Sequence, residues 1–214
     1  MCFSASASFV AGASLLAIGA MTVKKAERRA ELPFAAIPLL FGVQQIIEGI
    51  IWLTFRFDTP LLNTIMTNAY SLFSHVLWPI YVPFTVLVLE PVPWRRKVLY
   101  AFLTIGTAAG LYLLINMVRF PITSQLVGAH IEYVSPHFHV FVVMGSYLAG
   151  TCLSALVSSH KVVNIFGAVA LLLFVAVYHI YTLWFISVWC FFAAVLSGVV
   201  YLHFHSRERR MVSA

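Results

Sequence analysis

Charge is scarce in this chain. Asp, Glu, Lys and Arg make up 9% of its 214 residues, against roughly 25% in an ordinary soluble domain. So few polar side chains cannot cover a water-facing surface, and a soluble globular domain is excluded on that ground. Cysteine is also scarce: Cys2, Cys152 and Cys190 contain no CxxC, which excludes a thiolate metal or redox motif and a disulfide scaffold. A Cys2–Cys190 pair is the one disulfide left open, beside a reduced, buried alternative. There is no glycine-rich phosphate loop, so no ATP-driven chemistry is expected, and no HExxH. The four lysines, Lys24, Lys25, Lys97 and Lys161, all border apolar runs. None is central to a run, which excludes retinal. No basic residue precedes the first apolar run and a basic cluster follows it, the reverse of a cleaved signal peptide.

What is abundant is apolar. Hydrophobic residues are 62% of the chain and mean hydropathy is +0.95. The runs have the length of bilayer-crossing helices. An all-α bundle of about seven transmembrane helices in a single domain is expected, with spans at about 4–23, 33–55, 64–90, 97–118, 139–158, 162–180 and 184–204. Ser4, Ser8 and Gly12 give the first helix a small-residue face for close packing. Pro38 predicts a bend near the start of span two, and Pro79 and Pro83 a kink in span three. The loop 119–138 is the longest connection. Its length suggests a functional part capping the bundle.

The net charge of +6 sits in short clusters, which argues against nucleic acid and for topology signals. With the N-terminus outside, the inner connections and helix ends carry Lys24, Lys25, Arg28, Arg29, Arg95, Arg96, Lys97, Lys161, Arg207, Arg209 and Arg210. The outer ones carry only Arg56 and Arg119. That asymmetry orients the bundle with its C-terminus in the cytoplasm.

Within the apolar runs, Glu48 is the outstanding ionisable residue, and a carboxyl there needs a partner inside the protein. Gln44, Gln45 and Trp52 lie one turn from it. Span three carries Asn68, Ser71, Ser74, His75 and Trp78 at helical spacing. His139 opens span five, and Tyr178-His179 close span six. Counted from the inner helix ends at 1.5 Å per residue, Glu48 and His75 lie about 22 Å up. His179 and His139 lie about 25 and 28 Å up on the same rise. All four fall in the outer third of a core about 30 Å thick.

That shared level predicts a polar pocket opening to the outer face. One carboxylate and three imidazoles suit zinc or another divalent transition metal. Such a centre would make the chain a metal-dependent hydrolase of a lipid-like small molecule, with Glu48 as ligand or general base. Gln44, Gln45, Ser71, Trp52 and Tyr178 are the candidate binding residues. A haem held by His75 and His179 is a further option. The competing readings are a structural hydrogen-bonded network, a proton- or ion-coupled carrier using Glu48, and an accessory subunit without chemistry. The bilayer is the expected surrounding, and a homo-oligomer or a membrane-protein partner is left open.

The opening MCFSASASF, the segment AAIPLLFGVQQIIEGIIW and the phrase WPIYVPF followed by LEP resemble a group of small bacterial multi-pass proteins known only as a domain of unknown function. Cys2-Phe3-Ser4-Ala5 and Gln44-Gln45 with Glu48-Gly49 match its pattern. The resemblance covers most of the chain and implies the bacterial cytoplasmic (inner) membrane, but transfers no catalytic residue. Seven-span ceramidase-like hydrolases are a looser analogy, since the chain lacks their paired-histidine spacing.

Overall fold

The computed structural model of the protein describes residues 4–136, 139–181 and 184–212. Among them seven helices follow in chain order: α1 (Ala5–Lys25), α2 (Ile37–Arg56), α3 (Pro60–Leu89), α4 (Pro93–Arg119), α5 (Val140–Leu156), α6 (Lys161–Ile180) and α7 (Phe185–Val212). Six have the length and composition to cross a membrane. The expected fifth span is a shorter apolar helix, α5, which starts only after His139 takes a left-handed backbone conformation at φ 57°.

Proline sets several helix starts and breaks. Pro38 has no N–H to donate, and the chain forms a short turn, Leu32–Ala35, before α2 begins at Ile37. In α3 the expected kink is a π-helical segment, Leu72–Leu77, just ahead of Pro79. The Trp78 N–H reaches back five residues to Phe73. Pro83, inside the next segment, leaves the Pro79 carbonyl without its usual N–H donor four residues on. Gly106 of α4 and Gly150 of α5 close over that carbonyl, and a Cβ at Gly150 would sit 2.8 Å from it. Gly150 lies in a second π segment, Ala149–Leu153. The two irregular stretches are therefore packed around one proline carbonyl.

The small-residue face of α1 packs as its spacing predicts. Ser8 and Gly12 are buried, and a Cβ at Gly12 would lie 3.1 Å from the Gly42 carbonyl of α2. One end of the bundle gathers the basic connections. Glu90 accepts from the Ser159 N–H at 2.6 Å and the Val92 N–H at 3.1 Å, and Arg95 donates to the Val157 carbonyl at 3.0 Å. Burial would raise the Glu90 pKa. The Ser159 and Val92 N–H groups outweigh it and, with Arg95, hold the carboxyl below its ordinary 4.5.

The other end departs from an all-α chain. The expected loop contains an antiparallel hairpin, β1 (Thr123–Val127) and β2 (His130–Val134), with Val127 opposite His130. Gly128 at φ 64° opens the two-residue turn, as such hairpins require. The hairpin is bound down rather than free. Ser124 bonds Thr67 and Asn63 of α3 at 2.7 and 3.1 Å. Tyr133 stacks on Tyr70 at 4.5 Å, and His130 lies 4.6 Å from the Trp184 ring. Ile131 is fully buried in a cluster with Tyr70 and Cys190.

Candidate functional site

Beneath the hairpin lies a cavity of about 350 Å³. Val143, Met144, Phe174, Phe185 and Trp189 give it an apolar wall from α5, α6 and α7. Ser74, His75, Tyr147, Tyr178 and Cys190 are polar groups in its lining, with Tyr133 of the hairpin above. The loop expected to cap a pocket therefore does contribute to one.

His75 sits in the π segment of α3 and is 6% exposed. Its Nδ1 is 2.8 Å from the Ser74 hydroxyl, and its Nε2 is 3.1 Å from the hydroxyl of Ser135, just beyond β2. The Ser74 hydroxyl donates to the Ser71 carbonyl at 3.4 Å. The backbone carbonyl of Ser74 accepts from the Tyr147 hydroxyl at 2.7 Å. In the π register that carbonyl points toward residue 79, a proline without an N–H, so Tyr147 supplies the donor the main chain lacks.

The other residues singled out from sequence divide clearly. Glu48 is fully buried, and the Ser187 hydroxyl of α7 donates to its Oε1 at 2.6 Å. Gln44 accepts from the Trp78 indole at 2.7 Å, which also stacks on Phe41 at 3.8 Å. The Cys190 thiol faces the Gln44 amide, the Tyr70 hydroxyl and the Glu48 carboxylate. Glu48 and Gln44 thus lie one side chain behind the cavity wall. Gln45 and Ser71 are fully buried, and neither Gln45 amide atom has a hydrogen-bond partner among the described residues. Trp52 is half-buried against the Tyr70 cluster. Tyr178 lines the cavity beside Phe174.

The expected metal shell does not assemble. His139 and His179 are exposed, and among the described residues no group of three His, Cys, Asp or Glu is placed to hold a metal. His179 is exposed, whereas His75, the other half of the haem option, is buried with both ring nitrogens hydrogen-bonded. A shared depth did not imply a shared direction. Tyr178 and His179 are neighbours about 100° apart on one helix, and it is Tyr178 that reaches the cavity. Of the open cysteine pair, Cys190 is buried on α7 and Cys2 lies outside the described residues.

Two residues escaped sequence reasoning. Tyr147 and Ser135 are ordinary in composition, and their roles arise from contacts 73 and 60 residues away. No spacing rule reaches that far.

Comparison with curated proteins gives no match, nor does comparison with solved structures. The model of a family of unknown function, DUF6629, matches residues 1–214, and the chain belongs to that family.

Proposed function

We propose that the protein is an integral membrane protein that binds an apolar or amphiphilic small molecule in the cavity under the hairpin. The observation that carries this is the cavity itself. Its volume is within the range of small-molecule sites, and a largely apolar wall with a few polar groups on one side is their common composition. An amphiphile would set its chain against Met144, Phe174 and Trp189 and its polar end toward His75 and Ser74.

The charge asymmetry supports an orientation with the basic end in the cytoplasm and the cavity in the outer half of a bacterial inner membrane. A molecule partitioned into the outer leaflet would reach it there. A carrier reading has less support. Glu48 is 0% exposed, bonded by Ser187 and absent from the cavity lining.

Native mass spectrometry of the purified protein tests the binding. A stoichiometric added mass is expected on the wild type and its loss in Met144→Trp, which fills the cavity. Equal added mass on both proteins would refute it.

A further inference from the structure

The Ser74 hydroxyl lies 3.4 Å from the Ser71 carbonyl, to which it can donate, and 2.8 Å from His75 Nδ1. In the tautomer with the ring proton on Nδ1, His75 donates to Ser74 Oγ. In that tautomer Nε2 is an acceptor, and the hydroxyl 3.1 Å from it is that of Ser135. A serine hydroxyl bonded to an imidazole, whose far nitrogen is fixed by a third group, is the arrangement that activates a nucleophile.

From this we infer that Ser135 and His75 form a nucleophile–base pair for acyl transfer from an ester or thioester carrying an apolar chain. The inference rests on the binding reading above, because the cavity would hold that chain. His75 lines the cavity, so a chain seated there would end beside the pair.

The step balances without a metal or cofactor. Ser135 Oγ attacks the acyl carbonyl carbon while its proton passes to His75 Nε2. The tetrahedral intermediate collapses, the bond to the leaving oxygen or sulfur breaks, and the leaving group takes the proton from Nε2. Water then attacks the acyl-serine, giving its proton to Nε2. The acid departs, and the proton returns to Ser135 Oγ. Ser74 acts as a positioning residue: it holds the Nδ1 proton and fixes the ring as the base.

The location of Ser135 supports a function beyond fastening the hairpin. The hairpin is already secured through Thr67–Ser124, Tyr70–Tyr133 and His130–Trp184. Ser135 is half-buried and lies against cavity-lining His75, so part of its surface is open to a reagent.

The test is labelling of the full-length protein with alkyl fluorophosphonates, located by peptide mass spectrometry. A long-chain probe is expected to modify Ser135 in the wild type and to leave Ser135→Ala unmodified. His75→Gln should slow labelling by about a hundredfold or more, the usual contribution of a general base. Ser74→Ala should slow it as well, and Ser74→Thr should restore it. Size-exclusion profiles establish that each variant is folded. Because Ser135 is half-buried and outside the helices, Ser135→Ala stays informative even where His75→Gln fails to fold. No Ser135 adduct on folded wild type, or equal rates in wild type and His75→Gln, would overturn the pair. An added native mass with no Ser135 adduct would overturn the pair and leave the binding reading standing. Equal labelling by methyl and long-chain probes would retain the pair and count against the cavity as its chain site.

Discussion

The Tyr147 hydroxyl donates to the Ser74 carbonyl at 2.7 Å and so joins α5 to the π segment of α3 beside His75. The bond is buried, so removing the donor leaves a carbonyl without a partner. Tyr147→Phe is expected to cost about 1–3 kcal/mol. It should lower the thermal midpoint in detergent and slow any reaction that depends on His75. An unchanged midpoint would mean that the carbonyl finds another donor.

Gly106 tests the close approach around Pro79. A methyl there would collide with the Pro79 carbonyl, a backbone atom that cannot swing aside. Gly106→Ala should destabilise by about 1–3 kcal/mol or more, as overpacking does. Gly145→Ala is the control, since nothing lies within 4 Å of its added Cβ. It should be neutral or slightly stabilising, because alanine favours helix over glycine. Thermal melts of both variants in one detergent separate them.

Glu48 and Ser187 are predicted to be energetically coupled. Ser187→Ala removes the hydroxyl that donates to Glu48 Oε1. Glu48→Gln keeps an acceptor for that hydroxyl, whereas Glu48→Leu does not. Glu48→Leu should therefore cost more than Glu48→Gln, and a double-mutant cycle with Ser187→Ala should show non-additivity of about 0.5–3 kcal/mol. Strict additivity would show that the pair contributes nothing as a pair.

Acid should loosen both ends of the molecule, in separate windows. Burial of His130 between the hairpin and the Trp184 ring lowers its pKa from 6.5. The folded state therefore prefers neutral His130, and its stability is full above pH 6.5 and falls as pH drops below it. Glu90 is held below 4.5, so its contribution is present above that value and is lost at lower pH. His130→Phe should remove the upper window and leave the lower one. Midpoints measured from pH 8 to pH 3 check this, and a flat profile through pH 6.5 in the wild type would contradict it.

Much of the bundle was legible because its causes are local. Apolar run length marked the helices, Pro38 and Pro79 marked the breaks, and the basic clusters marked one end. The hairpin also had a local signal in TSQLVGAHIEYV, where Gly128 allows the positive φ of a two-residue turn. Its moderate polarity led instead to a loop reading. The site was less legible. Helical rise assigns a level to His75 and His179, but facing depends on how each helix is rotated by its packing. That rotation comes from contacts such as Gly106 and Gly150 against Pro79, which are remote in sequence.

The most direct measurement is photo-crosslinking with a long-chain amphiphile that carries a diazirine in its chain, followed by peptide mapping. Adducts are expected on cavity-lining Met144, Ile186 and Tyr178, and their loss in Met144→Trp. Adducts confined to outward-facing residues such as Leu172 and Val195, unchanged by that substitution, would contradict the cavity as a binding site.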